Sequence, residues 1–309
     1  MIIRKATDKD LKGILEVLRG GLGEESSQKT ERVWRYKHMD NPFGKSLVLV
    51  AEKEGKITGV RAFMQWRWQR GKKVYKAYRA VDTATHPDYQ RQGIFKKLTL
   101  QALQIAKGRG GDLVFNTPNE NSRPGYLKMG WKVIDKLQLS LVPSFFYLKY
   151  AFFSYKPVNH RGDMEALYKN YNEKMAQSGK LYTPKSVAYL KWRYENNPII
   201  DYQIIQDKDF FLAYYIKYHR YFKELRISEL IMEDKNALEK RLKKILVKEA
   251  LKNKVFFISF SNESLFKMKI FGKFGPVLTV KRLNLSEIEL REMQNISFWN
   301  YSLGDLELF

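Results

Sequence analysis

The sequence predicts an α/β (α+β) fold: a mixed, twisted sheet with flanking helices, present in two similar halves that follow one another. Around residues 86–93 a breaker-rich loop separates a strand pattern from a helical pattern, and another strand pattern follows the helix. Strand, helix and strand in this order favour a parallel crossover within one sheet. Trp-Arg-Tyr triplets at 34–36 and 192–194 are each followed by an Asn-Pro pair and a hairpin pattern, which predicts the two halves. A length of 309 residues also fits two domains.

Hydrophobic spacing predicts the elements of the first half in chain order. Apolar residues that alternate or run together predict strands at residues 2–5, 47–52, 57–66, 75–85 and 113–116. Helical spacing of apolar residues from residue 11 predicts a first helix, with Thr7 as its N-cap and Asp10 at the N3 position, and a second helix is predicted from residue 94. The glycines at 20–21 and 108–111 should end these two helices. A short helix at 125–129 and a strand from residue 130 complete the half.

The second half repeats this order but lacks the glycine loop of the first. Residues 115–130 and 260–272 both contain an Asn-Glu pair with a nearby serine. Where the first half has residues 90–95, the second has EDKNAL at 233–238, without glycine. We therefore predict a tandem duplication with a ligand-binding, catalytic domain at 1–155. A degenerate copy at 156–309 would shape the acceptor site or have a structural role.

Composition excludes several classes of site and of protein. The chain has no cysteine, which rules out disulfides, thiol nucleophiles and thiolate metal sites. Its four histidines are far apart in sequence, so no metal site is predicted. The N-terminus lacks the apolar core of a signal peptide, and residues 141–153 are too short for a membrane span. We therefore expect a soluble, cytoplasmic protein. The net charge of +23 predicts either an anionic partner or a solvated basic surface.

Residues 90–95 form a candidate phosphate-binding loop at a predicted helix start. The first turn of a helix presents unpaired N–H groups and the positive end of the helix dipole. Gly93 removes a side chain where an anion would approach. The motif is neither a Walker loop nor a dinucleotide-binding loop, and a simple turn is the alternative. Positive charge nearby comes from Arg91, Lys96, Lys97 and Arg123.

From residue 2 to about residue 134 the chain resembles the GNAT superfamily of acyl-CoA-dependent N-acetyltransferases. The family's pyrophosphate loop has Arg or Gln, two residues, Gly, one residue, then Gly or Ala. Gln90 and Gly93 match this loop, whereas Phe95 departs from it at the last position, where its side chain must point away from the phosphates. A later family segment has Asn, a small residue, Tyr and a Gly-aromatic pair, which are matched by Asn119, Ser122, Tyr126, Gly130 and Trp131.

The resemblance implies acetyl-CoA as co-substrate and direct attack by a primary amine. The backbone of residues 83–85 would pair with the pantetheine arm, and N–H groups of residues 92–96 would hold the pyrophosphate. Asn119 would touch the pantetheine, and Tyr126 would face the sulfur as proton donor. The candidate cofactor-binding residues are Thr83, Ala84, Thr85, Gln90, Arg91, Gln92, Gly93, Ile94, Phe95, Lys96, Asn119 and Ser122.

A general base is needed because an alkyl amine is almost entirely protonated at pH 7. Asp82, just before the predicted cofactor contacts, is the candidate base, directly or through water. The alternative is that Asp82 forms a structural ion pair with Arg79 or another cation. A further alternative follows from some tandem GNAT acetyltransferases, in which the C-terminal carboxylate enters the site. Here that group would belong to Phe309.

The acceptor is an unidentified small-molecule amine. Eight Lys or Arg residues and no acid lie between Glu54 and Asp82, with Trp66 and Trp68 among them. This pattern is typical of a solvated basic face. The alternatives are an anionic acceptor, such as a nucleotide sugar or glycan precursor, and nucleic acid, which is not favoured. We expect the acceptor near the junction of the halves, beside four aromatic residues that could instead be core anchors: Trp34, Tyr36, Trp192 and Tyr194.

Two other functions compete with an acetyltransferase. A Fem-type aminoacyl-tRNA-dependent transferase also has two GNAT-like halves, and the high positive charge favours it. The retained Gln90 and Gly93 and the absence of a long helical-hairpin insertion argue against it. A non-catalytic module that binds CoA or a polyanion is favoured by Phe95 in place of a small residue. The sequence does not predict the acyl chain length or the oligomeric state.

Overall fold

The computed structural model describes residues 1–23, 29–152, 164–261 and 265–306. The helices are α1 (Leu11–Leu22), α2 (Glu31–His38), α3 (Ile94–Gly108), α4 (Arg123–Lys128), α5 (Met164–Gln177), α6 (Val187–Leu190), α7 (Lys235–Lys252), α8 (Glu287–Met293) and α9 (Leu303–Leu306). The strands are β1 (Ile2–Lys5), β2 (Leu47–Lys53), β3 (Lys56–Arg70), β4 (Lys73–Thr85), β5 (Leu113–Asn116), β6 (Lys132–Lys136), β7 (Leu139–Pro143), β8 (Leu181–Tyr182), β9 (Gln203–Asp207), β10 (Phe210–Tyr218), β11 (Lys223–Met232), β12 (Phe257–Phe260), β13 (Ile270–Gly272), β14 (Val277–Arg282) and β15 (Trp299–Asn300).

Two mixed sheets with flanking helices confirm the predicted fold class. The first sheet has the strand order β1-β2-β3-β4-β5-β14-β6, and β8 joins β15 to β3 at its margin. The second has the order β13-β7-β12-β11-β10-β9. Strands β4 and β5 are connected by helix α3 and pair in parallel. Strands β11 and β12 are connected by helix α7 and also pair in parallel. None of the described helices combines the length and apolar character that a bilayer crossing requires.

The order of elements repeats between the halves, and the two sheets exchange strands. The series β2, β3, β4, α3, β5 corresponds to the series β9, β10, β11, α7, β12. However, β7 lies before residue 155 and belongs to the second sheet, while β14 lies after it and belongs to the first. The boundary predicted between residues 155 and 156 therefore does not divide the chain into two separate sheets. The second Asn-Glu segment, at 262–264, lies outside the described residues.

The molecule is layered, and its central layer is shared by both halves. Helix α3 packs on one face of the first sheet and α7 on one face of the second. Between the sheets lies a core to which β3 contributes Trp66 and Trp68 and the second half contributes Trp192 and Trp299. The rings of Trp68 and Trp299 are 4.9 Å apart, edge to face. Because apolar burial is the main stabilising term in folding, a shared core predicts that the halves unfold together.

The prediction that the glycines at 20–21 end the first helix is wrong, because α1 continues to Leu22. Gly21 is needed because a side chain would not fit between α1 and β4. A Cβ atom at Gly21 would lie 2.9 Å from the Cβ of Ala84 and 3.2 Å from the carbonyl oxygen of Thr85. Gly21 therefore allows α1 to lie directly against the end of β4, and the helix ends at Gly23, where φ is 68°.

Candidate active site

The candidate site lies at the edge of the first sheet where β4 and β5 separate. The two strands pair only over residues 77–79 and 113–115. Beyond this point β5 continues beside β14, where Asn116 pairs with Thr279. Residues 83–85 pair with β3 on one side, and no described strand pairs with their other side. An open backbone edge of this kind can bind an extended chain through its peptide groups.

Helix α3 begins over the same end of β4. Gly59 pairs with Thr85, and a Cβ atom at Gly59 would lie 2.6 Å from Cγ2 of Ile94, the first residue of α3. The N-cap residue, Gly93, has a φ of 75°, in the left-handed region that favours glycine. A Cβ atom at Gly93 would meet nothing within 4 Å, so the approach to the helix N-terminus is open. The residues around this N-terminus are exposed: Gln90, Arg91, Gln92 and Lys96.

The equivalent helix of the second half has a closed N-terminus. Asp234 is the N-cap of α7, and its carboxylate accepts hydrogen bonds from the backbone N–H groups of Asn236 and Ala237. A carboxylate in this position satisfies the donors that an external anion would need. Of these two matched helices, only α3 leaves its N-terminal donors without a side-chain cap, since its N-cap residue is glycine.

Tyr126 lies on α4 beside the start of α3, with its hydroxyl group inside the protein. The Tyr126 side chain is 3% exposed, and its hydroxyl oxygen accepts a hydrogen bond of 2.6 Å from Nη1 of Arg61. Phe95, at the position that departs from the family loop, packs edge to face on Tyr126 at 5.4 Å. A Cβ atom at Gly125 would lie 3.1 Å from the Phe95 ring, so Gly125 makes room for it. Phe95 therefore points inward, away from the N-terminus of α3.

Asp82 is the extra residue of a β-bulge in β4, a feature that the sequence analysis missed. Arg61 of β3 pairs with Thr83 and Ala62 pairs with Val81, which leaves Asp82 without a partner across the strands. Its φ of 40° is unusual for a residue other than glycine, and such strain is concentrated at functional sites.

The carboxylate of Asp82 is held by two residues of α2. It forms an ion pair with Lys37 and lies 2.9 Å from Nε2 of His38. Burial alone would raise the pKa of Asp82, but the Lys37 charge and the His38 hydrogen bond outweigh it and leave the pKa well below its usual range. Burial lowers the pKa of His38, whose Nδ1 lies 2.9 Å from Oγ of Ser46. Asp82 is therefore a carboxylate beside a neutral imidazole, and its partners are Lys37 and His38 instead of Arg79.

With this geometry established, comparison with known proteins identifies the first half. Residues 2–134 match the family model described as an acetyltransferase (GNAT) domain. The first half is a GNAT domain. The match supports an acyltransferase in general and carries no information about the acceptor. None of the curated proteins matches the chain.

Solved structures show the same fold over nearly the whole chain. A GCN5-related N-acetyltransferase from Anabaena variabilis has a TM-score of 0.68 and 13% identity, with 92% of this chain and 73% of that chain covered. A probable N-acyltransferase from Enterococcus faecalis has a TM-score of 0.67 and 12% identity, with the same coverage. Eis1 from Mycobacterium abscessus has a TM-score of 0.61 and 13% identity, with 96% and 76% covered. At this identity the likeness concerns the fold alone.

Asn119 and Ser122 of the GNAT domain hold the loop before α4. The Asn119 amide oxygen accepts hydrogen bonds from the backbone N–H of Ser122 at 2.9 Å and from its hydroxyl at 2.8 Å. These hydrogen bonds fix the backbone immediately before α4 and thereby help to position Tyr126. Within the described part of the chain the amide nitrogen of Asn119 has no partner, so it remains available to a ligand. Binding of the pantetheine by Asn119 or Ser122 stays a prediction.

The aromatic residues proposed for partner binding are buried. Trp66 and Trp68 lie in the shared core and offer no ring for stacking with nucleic-acid bases. The four aromatic residues at the junction of the halves are also buried, as core anchors would be: Trp34, Tyr36, Trp192 and Tyr194. Beside Tyr36 and Trp192 the surface has a depression of ≈ 530 Å³. A second cavity, of ≈ 260 Å³, is lined by Trp34, His38 and Ser46 on the α2 side of the GNAT domain.

The chain returns to the GNAT domain near its end. Arg79 of β4, three residues before Asp82, donates hydrogen bonds to the carbonyl oxygens of Asp305 at 3.2 Å and Leu306 at 2.5 Å. Phe309, whose carboxylate is an alternative base, lies outside the described residues. The alternative pairing of Arg79 with Asp82 is therefore wrong, and no local pattern in the sequence indicates this contact because the two segments are more than 200 residues apart.

Proposed function

We propose that the chain is an acetyl-CoA-dependent N-acetyltransferase that transfers the acetyl group to a primary amine by direct attack. One observation carries the proposal: three features lie at the same end of the first sheet. They are the open N-terminus of α3 at Gly93, the open edge of β4 at residues 83–85, and the hydroxyl of Tyr126. A pyrophosphate, a pantetheine arm and a thioester sulfur need these three environments in this order.

The residues of this edge fit the parts of acetyl-CoA. The N–H groups of residues 92–96 would bind the pyrophosphate, because the helix dipole and the unpaired donors favour an anion there. Arg91 and Lys96 are exposed beside this N-terminus and would add positive charge. The peptide groups of residues 83–85 would bind the amides of the pantetheine arm. The group itself supplies an acetyl thioester, which an amine can attack without a covalent enzyme intermediate.

The chemical roles follow from proton balance. As the amine nitrogen bonds to the acetyl carbon, the carbon–sulfur bond breaks and its electron pair goes to the sulfur. Tyr126 would donate a hydrogen bond to that sulfur, since its hydroxyl oxygen already accepts from Arg61 and its hydrogen has no acceptor among the described residues. Asp82 would bind the substrate ammonium and orient the water that carries the amine proton to solvent, because its low pKa disfavours storing the proton on the carboxylate itself.

The acceptor would approach from the face of the sheet that carries α2. The Asp82 carboxylate points to this face, and the ≈ 260 Å³ cavity beside His38 opens on it. Tyr126 and Phe95 occupy the opposite face, with α3. A net charge of +23 favours an anionic acceptor, so we propose amino sugars linked to nucleotides or glycan precursors as the first class to examine.

Thermal unfolding with and without ligand tests the proposal. Acetyl-CoA and CoA should each stabilise the protein, by about 2.7 kcal/mol at 100 times Kd, while sulfate at equal ionic strength should not. Gly93→Glu should abolish this stabilisation, because a carboxylate would occupy the open N-terminus of α3. Gly179→Glu is the matched control, since Gly179 has a φ of 70° and open space around its Cβ position, and its carbonyl oxygen accepts from Arg70 at the far end of β3. It introduces the same backbone strain and charge away from the loop.

Each outcome separates the competing functions. Absence of stabilisation in the wild-type protein would overturn the proposal, and aminoacyl-tRNA would be the next ligand because a Fem-type transferase uses it. If both glycine variants lost the stabilisation by acetyl-CoA equally, backbone strain and not the loss of a binding site would explain the result. Binding of acetyl-CoA without thioester cleavage across amines of every class would favour a non-catalytic module.

A further inference from the structure

Arg61 is a buried guanidinium group in the interior of the GNAT domain. It lies on β3 opposite Thr83, and its side chain is 0% exposed. Three aromatic rings surround it, with ring centres 4.8 Å away for Phe63, 5.7 Å for Phe95 and 5.1 Å for Tyr126. No carboxylate of the described residues pairs with it. A buried cation without a counter-charge is costly, which calls for an explanation.

The hydrogen-bonding groups of Arg61 are largely unused. Nη1 donates to the hydroxyl of Tyr126, while Nε and Nη2 are buried and have no partner in the described part of the protein. Two other buried arginines of the chain differ from Arg61 because they donate hydrogen bonds to backbone carbonyl oxygens. Arg79 holds the carbonyl oxygens of Asp305 and Leu306, and Arg193 holds that of Gly304 at 2.9 Å. These two arginines fix backbone segments, whereas the hydrogen bond that Arg61 makes within the described residues goes to the hydroxyl of Tyr126.

The position of Arg61 relates it to the reacting atoms. The β-bulge places Arg61 opposite Thr83, the first residue of the open β4 edge. Its guanidinium reaches Tyr126 within the group of side chains that packs under the start of α3. A negative charge that develops at this point would meet both the cation and its free N–H groups. Donors that are fixed before the reaction stabilise such a charge most effectively.

We propose that Arg61 and Tyr126 together form an anion site for the sulfur of CoA, which they hold as a thiolate. This inference rests on the proposed function and names the residue that stabilises its leaving group. When the carbon–sulfur bond breaks, the electron pair stays on the sulfur, and the N–H groups of Arg61 and the O–H of Tyr126 donate to it. The thiolate then takes a proton from solvent as CoA leaves. No further reactant is needed.

Binding of CoA without any acceptor tests the anion site. An alkyl thiol is mainly protonated at pH 7, so bound thiolate is visible as added ultraviolet absorbance and as released protons. The wild-type protein should give this signal and bind CoA about tenfold more tightly than desulfo-CoA, which lacks the sulfur. Arg61→Met should bind desulfo-CoA normally but lose the thiolate signal and the preference. Methionine fits an apolar cage, and replacing a buried charge by an apolar residue often leaves stability unchanged.

Control variants keep the test decisive. Arg67→Met removes an exposed arginine from the same strand and should leave the thiolate signal unchanged. Arg61→Lys retains the positive charge and should restore part of the signal, which covers the case in which Arg61→Met does not fold. In turnover, Arg61→Met should lower kcat by about 10²-fold with little change in the KM for acetyl-CoA.

Failure of the proposed function and failure of the anion site give different results. If wild-type protein binds neither CoA nor desulfo-CoA, the proposed function itself is wrong. If both bind with equal affinity and no thiolate appears, the proposed function stands and the anion site is overturned. A thiolate signal that persists in a folded Arg61→Met variant would also overturn it, and Arg61 would then serve only to pack the aromatic cage.

Discussion

Trp192 donates its indole N–H to the backbone carbonyl oxygen of Tyr36 at 2.8 Å, and the two rings stack with centres 5.2 Å apart. These residues belong to the repeated Trp-Arg-Tyr triplets of the two halves. The Tyr36 hydroxyl in turn accepts from Nδ2 of Asn197, the Asn of the second Asn-Pro pair, at 3.2 Å. The repeated segments therefore contact each other across the junction, so they hold the two halves together.

Replacing Trp192 by Phe should lower the free energy of unfolding by about 1–3 kcal/mol, because the buried carbonyl oxygen of Tyr36 loses its donor. Urea unfolding should show one transition that moves as a whole, since the halves share a core. Trp131→Phe is the matched control: Trp131 is 2% exposed, and its indole nitrogen has no partner among the described residues. Equal losses in the two variants would mean that ring volume, not the hydrogen bond, sets the effect.

Asp234→Ala should cost about 1 kcal/mol of stability and leave CoA binding unchanged. The substitution removes the cap of α7, whose first-turn N–H groups then lose their acceptor. The helix packs on the second sheet and α3 on the first, so the thermal shift with acetyl-CoA should equal that of the wild-type protein. A CoA-induced shift that disappears in Asp234→Ala would place the ligand at the wrong helix.

Tyr126→Phe should lower kcat by about 10²–10³-fold, because the leaving sulfur loses the hydrogen-bond donor that stabilises its negative charge. Folding should be little affected, since the ring packing on Phe95 is retained. Tyr147→Phe removes the hydroxyl of another buried tyrosine, one that hydrogen-bonds to the backbone of Met268 in the second half, and should leave kcat unchanged. Thioester cleavage with a reactive amine provides the measurement. Full activity of Tyr126→Phe would mean that another group stabilises the leaving sulfur.

Much of the fold could be predicted from the sequence because short-range patterns determine it. The strands at 2–5 and 113–116 are confirmed, and the helix predicted from residue 94 is α3. These segments carry clear periodicity and lie between strong breakers. The strand at 57–66 is longer than predicted, since β3 continues to Arg70. Its Trp66 and Trp68 face the other half, so their burial depends on residues far along the chain.

The features that were missed depend on contacts between distant segments. Nothing in residues 277–282 indicates that β14 enters the first sheet between β5 and β6. Nothing around Asp82 indicates a bulge, because the bulge is a property of its register with β3. The same applies to Arg61, which the sequence analysis counted only as one member of a basic run. Its burial beside Tyr126 follows from the bulge and from the packing of α4.

Lys185→Met should lower the free energy of unfolding by about 3–5 kcal/mol, because it leaves two buried carboxylates without their cation. Lys185 Nζ lies 2.6 Å from Oε2 of Glu229 and 3.1 Å from Oδ1 of Asp305, and all three side chains are buried. Burial raises the pKa of Glu229, although Lys185 opposes this shift. Adding Glu229→Gln and Asp305→Asn to Lys185→Met should recover most of the loss. A loss below about 1 kcal/mol in the single variant would mean that the carboxylates take up protons.

Acid should weaken the contact between α8 and the first sheet through Glu289. Its carboxylate pairs with Lys73 and accepts a hydrogen bond of 3.0 Å from the Tyr75 hydroxyl. Burial alone would raise the pKa of Glu289, but hydrogen bonds from Lys73, Ser286 and Tyr75 lower it to about 2, against 4.5 in an unfolded chain. A depressed pKa stabilises the folded state above the unfolded value, and this contribution is lost as the pH falls from about 4.5 towards 2. Glu289→Gln should therefore be less stable than the wild-type protein at pH 7, with the difference shrinking below pH 4. Urea unfolding at a series of pH values measures this difference, and a difference that stays constant down to pH 3 would contradict it.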